Sequence, residues 1–214
     1  MKLILKKNPL FRGMNEQELD SALALLDVKK TDYPKNALLA SAGEPLERFG
    51  LVVSGTVQVS FNDIDGNAVI MATLTEGETF GESLCWLGVP EIPVTISAFV
   101  DTTVLWISPK ALKQGERSDI AHELQNRFSS MLAQKTLAMN DRVQILSKPT
   151  IREKIVTFLS QYSNRSGSKT FSVPFDRETL ALYLGVNRSA LSRELSNMQR
   201  DGIIEYYKNS FKIK

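Results

Sequence analysis

Hydrophobic and polar positions follow three different patterns along this chain of 214 residues. In the first, the segment NEQELDSALALLD at residues 15–27 begins with a capping residue and repeats leucine at helical spacing. Leu19, Leu23 and Leu26 would then lie on one face, because residues three and four positions apart share one side of a helix. The segment is predicted to be a short amphipathic helix that packs against a core.

Short β-rich runs separated by glycines form the second pattern, from Tyr33 to Ile107. Examples are GLVVSGTVQVSF, AVIMATL and TTVLWIS. The Asp-Gly step of DIDGN, residues 63–67, predicts a tight hairpin between two of these strands. Many short strands at close spacing are typical of a sandwich or barrel. Residues 1–117 are therefore predicted to form a jelly-roll, or double-stranded β-helix, domain.

The third pattern is a long helical stretch that runs from Ser118 to Pro149 without glycine or internal proline. About 29 residues would extend some 43 Å, which is too far for a small β-domain to cover completely. We therefore expect residues 118–148 to form a dimerisation helix and hinge, with part of the apolar stripe against a second chain. Packing wholly within one subunit is the alternative. The predicted interface residues are Leu124, Phe128, Met131, Leu132 and Met139.

A new pattern begins at Pro149, which discourages helix at the residue before it and marks a hinge between domains. After one more amphipathic helix and a strand, Asp176 can cap the first helix of a pair. Gly185 allows a left-handed turn, and Asn187 can cap the second helix. The final segment GIIEYYKNSFKIK is typical of a hairpin of two short strands. This order predicts a winged helix-turn-helix in residues 149–214.

The second helix of this pair carries polar side chains along one edge. The residues that cluster toward its N-terminal end are Asn187, Arg188, Ser189, Ser192 and Arg193. Arginine can donate two hydrogen bonds to guanine in the major groove, and serine can reach base edges or phosphates. A merely solvated surface is the alternative. The edge predicts a recognition helix that binds double-stranded DNA.

The charge distribution agrees with a nucleic-acid partner. The chain carries +2 overall, but residues 149–214 hold 11 lysines and arginines against 6 acidic residues, whereas residues 1–148 hold 15 against 18. The single cysteine excludes an internal disulfide framework and fits a reducing compartment. The N-terminal apolar run is too short for a signal peptide, and no stretch reaches the roughly 18 apolar residues of a membrane span. We expect a soluble, cytoplasmic protein without a membrane partner.

Three segments resemble the successive signatures of one known family, in matching order and spacing. They are GEPLERFGLVVSGTVQVSF, LTEGETFGESLCWLG and DRETLALYLGVNRSALSRELSNMQRDGII. The family is that of the catabolite-activator and fumarate-nitrate regulators (CRP/FNR), which are bacterial transcription regulators. The resemblance implies an α+β fold with an effector-sensing β-roll, a dimerising helix and a winged helix-turn-helix. It also implies a homodimer on two-fold symmetric promoter DNA, with RNA polymerase and a small-molecule effector as further partners.

By the same resemblance, Arg188, Ser189, Ser192 and Arg193 occupy positions that contact bases and phosphates. The chain departs from the family at Ser189, where many members carry a glutamate that reads the half-site. It also departs at Glu194, where an apolar residue commonly packs against the first helix of the pair. Because a buried unpaired charge is costly, this carboxylate is expected to reach solvent or to pair with a basic side chain.

The family's cyclic-nucleotide pocket resembles the segment FGESLCWLGVPEIPVTISAF. The candidate pocket residues are Gly81, Glu82, Ser83, Leu84, Ile92 and Pro93. The first two match the ribose-binding end, although we expect them to serve the geometry of the roll. Ile92 and Pro93 stand where the family has a phosphate-binding arginine and a hydroxyl residue, so an anionic cyclic phosphate lacks its charge-assisted partner. The effector is therefore expected to be neutral or apolar, if there is one, and not cyclic AMP.

The sequence gives weaker evidence for other kinds of sensor and for other functions. An iron–sulfur centre needs about four thiolates, and the chain has one cysteine. Haem would have to use Cys85 or His122, but a lone cysteine in an apolar run suits a core and a lone histidine on a long helix suits a surface. A cupin-type enzyme needs several histidine and carboxylate ligands, and the one histidine lies outside the β-domain. We therefore predict no catalytic residue, metal or cofactor. A ligand-binding module without DNA function and a haem-based gas sensor are the alternative functions.

Overall fold

The structure is a computed structural model that describes residues 1–64, 68–114 and 118–214. In chain order the elements are α1 Lys2–Leu5, α2 Glu16–Leu25, β1 Lys29–Tyr33, β2 Leu38–Ala40, β3 Phe49–Ser54, β4 Val57–Asn62, β5 Ala68–Leu74, β6 Thr79–Phe80, α3 Glu82–Leu87, β7 Thr95–Ala98, β8 Thr102–Ile107, α4 Lys110–Lys113, α5 Asp119–Leu146, α6 Ile151–Ser166, β9 Thr170–Ser172, α7 Arg177–Leu184, α8 Arg188–Arg200, β10 Ile204–Tyr207 and β11 Ser210–Ile213. The Asp65-Gly66 step, on which the predicted tight hairpin depends, lies outside the described residues.

The chain divides into two compact units, Met1–Ala133 and Gln134–Lys214. The first unit contains two four-stranded sheets, with strand orders β1-β8-β3-β6 and β2-β7-β4-β5. The described strand pairs in both sheets are antiparallel, which confirms the predicted jelly-roll-like β-domain. No helix in the described ranges is long and apolar enough to cross a bilayer.

Two apolar clusters fill the first unit, one on each face of the sheet that contains β3. Val52 of β3 lies in the cluster shared with the second sheet, together with residues such as Val57 and Ile96. Phe49 and Leu51 of the same strand lie in the other cluster, which contains side chains from the helices. Strand β3 is therefore buried on both faces, because alternate side chains point to opposite sides of a sheet.

Helix α2 matches the first predicted element and begins where its capping residue stands. The side chain of Asn15 accepts a hydrogen bond from the Glu18 backbone at 2.9 Å, and the Asn15 backbone donates to the Glu18 carboxylate at 2.8 Å. This reciprocal pair satisfies two amide groups that would otherwise lack a partner at the helix start. Leu19 and Leu26 are buried and Leu23 is packed against the same cluster, as the leucine spacing predicted.

The long helix is confirmed as α5, which runs for 28 residues from Asp119 to Leu146. Its predicted interface residues, however, have different environments. Leu124, Phe128 and Met131 are at most 2% exposed and belong to the core of their own unit. Phe128 contacts the rings of Phe49 and Trp86, with centroids 5.5 and 4.9 Å away.

The assignment of Leu124, Phe128 and Met131 to a dimer interface is therefore wrong. The apolar stripe of α5 has more than one side, and the side that carries these three residues is covered by the β-domain of the same chain. Leu132 is only partly buried against that core, and Met139 is exposed. These two residues are accessible to a second chain.

The second unit contains the three-stranded antiparallel sheet β10-β11-β9 and the helices α6, α7 and α8. The last turns of α5 also belong to this unit. Ile145 is fully buried in its core, and the side chain of Gln161 on α6 donates a hydrogen bond to the Asp141 carbonyl at 3.2 Å. The structure therefore divides within α5 and not at the predicted hinge beside Pro149, because Ile145 anchors the helix end to the core that follows.

Candidate nucleic-acid interface

Helix α7 and the turn after it form as the sequence predicts. Asp176 caps α7, since its carboxylate accepts a hydrogen bond from the Thr179 backbone at 2.7 Å. That hydrogen bond, with a smaller contribution from Arg188, lowers the pKa of Asp176 from its ordinary value. The helix ends at Gly185 with φ of 62°, a left-handed conformation that residues with a Cβ resist.

The next helix, α8, begins at a cap made by Asn187. Its side-chain oxygen accepts hydrogen bonds from the Ser189 amide at 2.9 Å and from the Ser189 hydroxyl at 2.6 Å. On the inner side of the helix, Leu191, Leu195 and Met198 are buried in the core of the second unit. This packing fixes which edge of α8 faces outward.

The outward edge carries the predicted DNA-binding side chains. All five of them are exposed: Asn187, Arg188, Ser189, Ser192 and Arg193. Among the described residues, the side chain of Arg193 has no hydrogen bond or ion pair, so its guanidinium is available to a partner. The structure thus brings the five residues together on the first turns of one helix.

Glu194 is held by a basic partner, as its charge required. Arg152 of α6 donates a hydrogen bond to the Glu194 carboxylate at 2.5 Å and pairs with Asp201 at 2.8 Å. Hydrogen bonds to these two carboxylates raise the pKa of Arg152 from its ordinary value. The pair joins α6 to α8, and no local signal in the sequence identifies Arg152 as the partner.

The C-terminal hairpin is confirmed as β10 and β11, which meet at a turn where Lys208 has a φ of 51°. Strand β9 pairs with β11 and completes the sheet. Tyr207 and Lys208 are exposed at the turn. A concave surface of about 440 Å³ lies between this turn and the start of α7, and its lining includes Phe175 and Arg177. The sequence analysis did not single out Arg177.

The candidate effector residues lie around the start of α3 in the first unit. Gly81 has a φ of 78°, and a Cβ at this position would come within 2.5 Å of the Leu46 side chain. The glycine is therefore required by the roll itself. Glu82 is buried, Leu84 packs partly against the cluster between the sheets, and Ser83 is exposed.

Ile92 does not line an open pocket, so its assignment to an effector site is wrong. Its side chain is 1% exposed and belongs to the apolar cluster between the two sheets. Its backbone amide donates to the Glu44 carbonyl at 2.9 Å, and its carbonyl accepts from Gly43 at 2.9 Å. An isoleucine in this place fills the interior of the roll, whereas Pro93 beside it is exposed.

Cys85 and His122, the two residues considered for haem, lie in the environments that the sequence favoured. Cys85 is a core residue, and burial raises the pKa of its thiol to about 11. At neutral pH the sulfur of the free thiol is therefore protonated. His122 is exposed on α5, where its ring nitrogen Nδ1 lies 3.1 Å from the Ser118 carbonyl.

Each of the two units contains a match to a known family profile. The family profile of the cyclic nucleotide-binding domain matches residues 30–118, and that of the Crp-like helix-turn-helix domain matches residues 153–214. The transcriptional activator protein FnrA of Stutzerimonas stutzeri is 27% identical over 200 residues, which cover 90% of this chain and 79% of the relative. The cyclic AMP receptor protein of Thermus thermophilus is 24% identical over 203 residues, which cover 94% and 89%.

The fold has counterparts among solved structures. The catabolite activator protein of Thermus thermophilus is similar with a TM-score of 0.55 and 22% identity, over 97% of this chain and 94% of that one. The similarity includes the elements that the sequence predicted, namely the β-roll, the long helix and the helix-turn-helix. The chain therefore belongs to the CRP/FNR family of DNA-binding transcription regulators, a family whose members are not enzymes.

Proposed function

We propose that the chain acts as a homodimer that binds a two-fold symmetric promoter site through the exposed edge of α8. The observation that carries the proposal is the clustering of Arg188, Ser192 and Arg193 on the first turns of a helix whose opposite side is buried. A helix presented in this way fits the major groove, with its N-terminal residues at the base edges.

The two arginines of this edge lie at different positions along the helix. Arg193 has no polar partner among the described residues, and a free guanidinium can donate two parallel hydrogen bonds to the O6 and N7 atoms of guanine. Arg188 lies at the first position of the helix, next to backbone amides that can bind a phosphate. We therefore assign base recognition to Arg193, and phosphate contacts to Arg188 and the start of α8.

The assignment is tested by Arg193→Ala, with Arg200→Ala as the matched control. Arg200 lies on the same helix and carries the same charge, but it is near the C-terminal end and donates to Asn197 at 2.6 Å. We expect Arg193→Ala to cost about 1 to 3 kcal/mol on the cognate half-site and to relax discrimination at one base pair. Fluorescence anisotropy on cognate and scrambled duplexes at fixed salt measures both effects. Equal affinity of wild type and Arg193→Ala for the cognate site would refute the assignment.

The dimer contact is assigned to a row of exposed apolar residues on α5. Leu132, Met139 and Leu146 are seven positions apart, and Val143 falls between the last two. Met139, Val143 and Leu146 are between 42% and 68% exposed. A contiguous row of exposed apolar side chains marks a surface that another protein chain covers. Spacing of three and four residues is that of a two-helix coiled coil, so the occupant is the same row of a second copy.

A dimer also satisfies the geometry of the DNA. Two recognition helices must reach half-sites about 34 Å apart, which one copy of α8 cannot do. We propose that residues 118–148 supply this pairing, that residues 149–214 supply DNA recognition, and that RNA polymerase is a further partner at the promoter. Sedimentation is expected to show a dimer in the absence of DNA and two protein chains on a duplex that carries the full palindromic site. A single chain on the full site would contradict the proposal.

We further propose that the first unit senses a neutral or apolar molecule and not a cyclic nucleotide. An anionic cyclic phosphate needs a cationic partner in a site that excludes water. The side chains of Arg12, Arg48 and Arg127 each donate to a carbonyl of the protein, and Arg48 and Arg127 also pair with carboxylates. Arg117 lies outside the described residues. Calorimetric titration with cyclic AMP and cyclic GMP is expected to show no micromolar binding, and binding that also tightens the DNA complex would contradict this assignment.

A further inference from the structure

A cavity of about 250 Å³ lies on the first unit between the end of α3 and the start of α4. Its lining combines buried residues with exposed charged residues at the rim, namely Leu46, Cys85, Pro109, Glu47, Lys110 and Lys113. None of the six candidate effector residues, all of which the structure describes, belongs to this lining. The cavity is therefore separate from the segment that resembles the family's cyclic-nucleotide pocket.

The size and the apolar part of the lining indicate a compact, largely apolar occupant. Sites for drug-sized ligands begin at about 300 Å³, so this cavity of about 250 Å³ fits a smaller molecule. Leu46 belongs to the apolar cluster between the sheets and Cys85 to the cluster that contains the helices, so the cavity borders both. Pro45 and Pro90 also line it, and such rigid walls lose little conformational freedom when a ligand binds.

The charged residues of the rim favour a ligand with one acceptor oxygen and no charge. The ammonium group of Lys110 lies 3.8 Å from the Glu47 carboxylate, so these two charges largely cancel. A phosphate in the cavity would meet that carboxylate, whereas an uncharged oxygen is not repelled by it. Lys113 donates one of its three N–H groups to the Cys85 carbonyl at 2.9 Å, and its side chain forms no ion pair among the described residues. Its ammonium group is therefore the donor for a ligand oxygen.

We propose that this cavity binds a compact, uncharged and largely apolar molecule with one carbonyl or hydroxyl oxygen, and that this oxygen takes over the Lys113 hydrogen bond from the Cys85 carbonyl. The proposal rests on the proposed sensing of a neutral or apolar molecule by the first unit, and it gives that molecule a site. The exchange leaves no polar group without a partner, because the Cys85 carbonyl also accepts from the Gly88 amide at 3.3 Å.

Lys113 connects the cavity to the long helix through two aromatic rings. Its ammonium group lies 5.7 Å from the centre of the Trp86 ring, a distance at which a cation is attracted to the face of an indole. The Trp86 ring in turn contacts Phe128 of α5, with centroids 4.9 Å apart, and Phe128 is fully buried. A ligand that moves the ammonium group changes the contact of Trp86 with α5. The cavity can therefore bind with different affinity to two arrangements of this helix.

The test titrates 4-fluoroacetophenone, an uncharged ring compound with one carbonyl oxygen, into the 15N-labelled 214-residue chain. The readout is the indole N–H resonances of its two tryptophans, assigned with Trp86→Phe. Trp86 reports on the cavity, whereas Trp106, whose indole donates to the Tyr33 hydroxyl at 2.9 Å, reports on the interior of the roll. We expect the Trp86 resonance to shift with a dissociation constant of about 0.1 to 1 mM, as a ligand of about ten non-hydrogen atoms allows. No shift of Trp86, or an equal shift of Trp106, would overturn the proposal.

Three variants test the role of the lining. Lys113→Met removes the donor, so it is expected to weaken binding of the ketone about 3- to 10-fold and to leave binding of fluorobenzene, which has no oxygen, unchanged. Val89→Phe places a ring in the cavity and is expected to abolish binding of both compounds. Lys35→Met, the matched control, removes an exposed lysine outside the lining and is expected to bind both like wild type. Wild-type affinity of Lys113→Met or of Val89→Phe for the ketone would contradict the site.

DNA binding tests whether the cavity regulates the protein. Fluorescence anisotropy on the cognate duplex is measured with and without a saturating concentration of the ketone. The affinity of wild type for DNA is expected to change about 5-fold or more, and that of Val89→Phe is expected to be the same with and without the ketone. A shifted Trp86 resonance with unchanged DNA affinity would overturn the sensing role of the cavity. Wild type that binds no DNA would refute the proposed function itself, whereas the Trp86 resonance would still decide whether the cavity binds the ketone.

Discussion

The variant Met139→Glu tests the proposed dimer contact at a position that is exposed in the single chain. Met139 is 68% exposed, so Met139→Glu introduces no buried charge into a single chain. In a dimer whose contact runs along Leu132, Met139, Val143 and Leu146, the new carboxylate would meet its own copy in the partner. We expect folded monomers in place of dimers.

The magnitude follows from the surface that the dimer would cover. Complete burial of a methionine side chain contributes about 1.5 to 3 kcal/mol, and the exposed two-thirds of Met139 corresponds to roughly 1 to 2 kcal/mol. The residue occurs twice in the contact, so loss of both side chains weakens dimerisation by about 2 to 4 kcal/mol, or about 30- to 700-fold. The cost of placing two unpaired carboxylates in an apolar contact adds to this value.

Sedimentation equilibrium from nanomolar to micromolar concentration measures the change, and circular dichroism verifies that the helix content is unchanged. Leu137→Glu is the matched control, since Leu137 is 64% exposed on the same helix but points away from the Met139 row. The control is expected to remain dimeric. A dimeric Met139→Glu variant together with a monomeric Leu137→Glu variant would show that the contact lies on the other side of α5.

Two further predictions concern single side chains inside the units. Because burial raises the pKa of the Cys85 thiol to about 11, the native chain is expected to react with iodoacetamide at pH 8 about 100-fold more slowly than the unfolded chain. The same shift stabilises the folded state below pH 9, where the thiol is protonated in both the folded and the unfolded chain. This contribution is lost as the pH rises from 9 to 11, and urea unfolding at a series of pH values measures the loss. Arg152→Gln removes the ion pairs to Glu194 and Asp201, and it is expected to lower the free energy of unfolding of the second unit in the same assay.

The order of the elements could be predicted because each depends on neighbours in the sequence. Asn15, Asp176 and Asn187 cap helices through hydrogen bonds to residues two or three positions away. Gly185 ends α7 in the conformation that glycine alone adopts at no cost. The absence of glycine and proline after Ser118 likewise predicted α5, since helix propagation requires only local hydrogen bonds.

The side chains that the sequence misplaced depend on distant partners. Leu124 and Phe128 lie on the same apolar stripe as Leu132, and no periodicity distinguishes the side covered by the β-domain from the side that remains accessible. Arg152 pairs with Glu194 across 42 positions, and Arg177 reaches a carbonyl 31 positions away. Such pairs become visible only when the tertiary structure brings the elements together.

The division of α5 constrains how a signal can reach the DNA. The first turns of the helix belong to the first unit through Leu124 and Phe128, whereas Ile145 is fixed in the core of the second unit. Met139, Val143 and Leu146 of the proposed dimer row belong to the same compact unit as the recognition helix, whereas Leu132 belongs to the first unit. An effector in the β-roll changes DNA affinity only if it binds two arrangements of this helix with different affinity. The chain passes from the first unit to the second within the stretch of α5 between Met131 and Met139. This stretch is therefore the covalent connection through which a change in the first unit can alter the second.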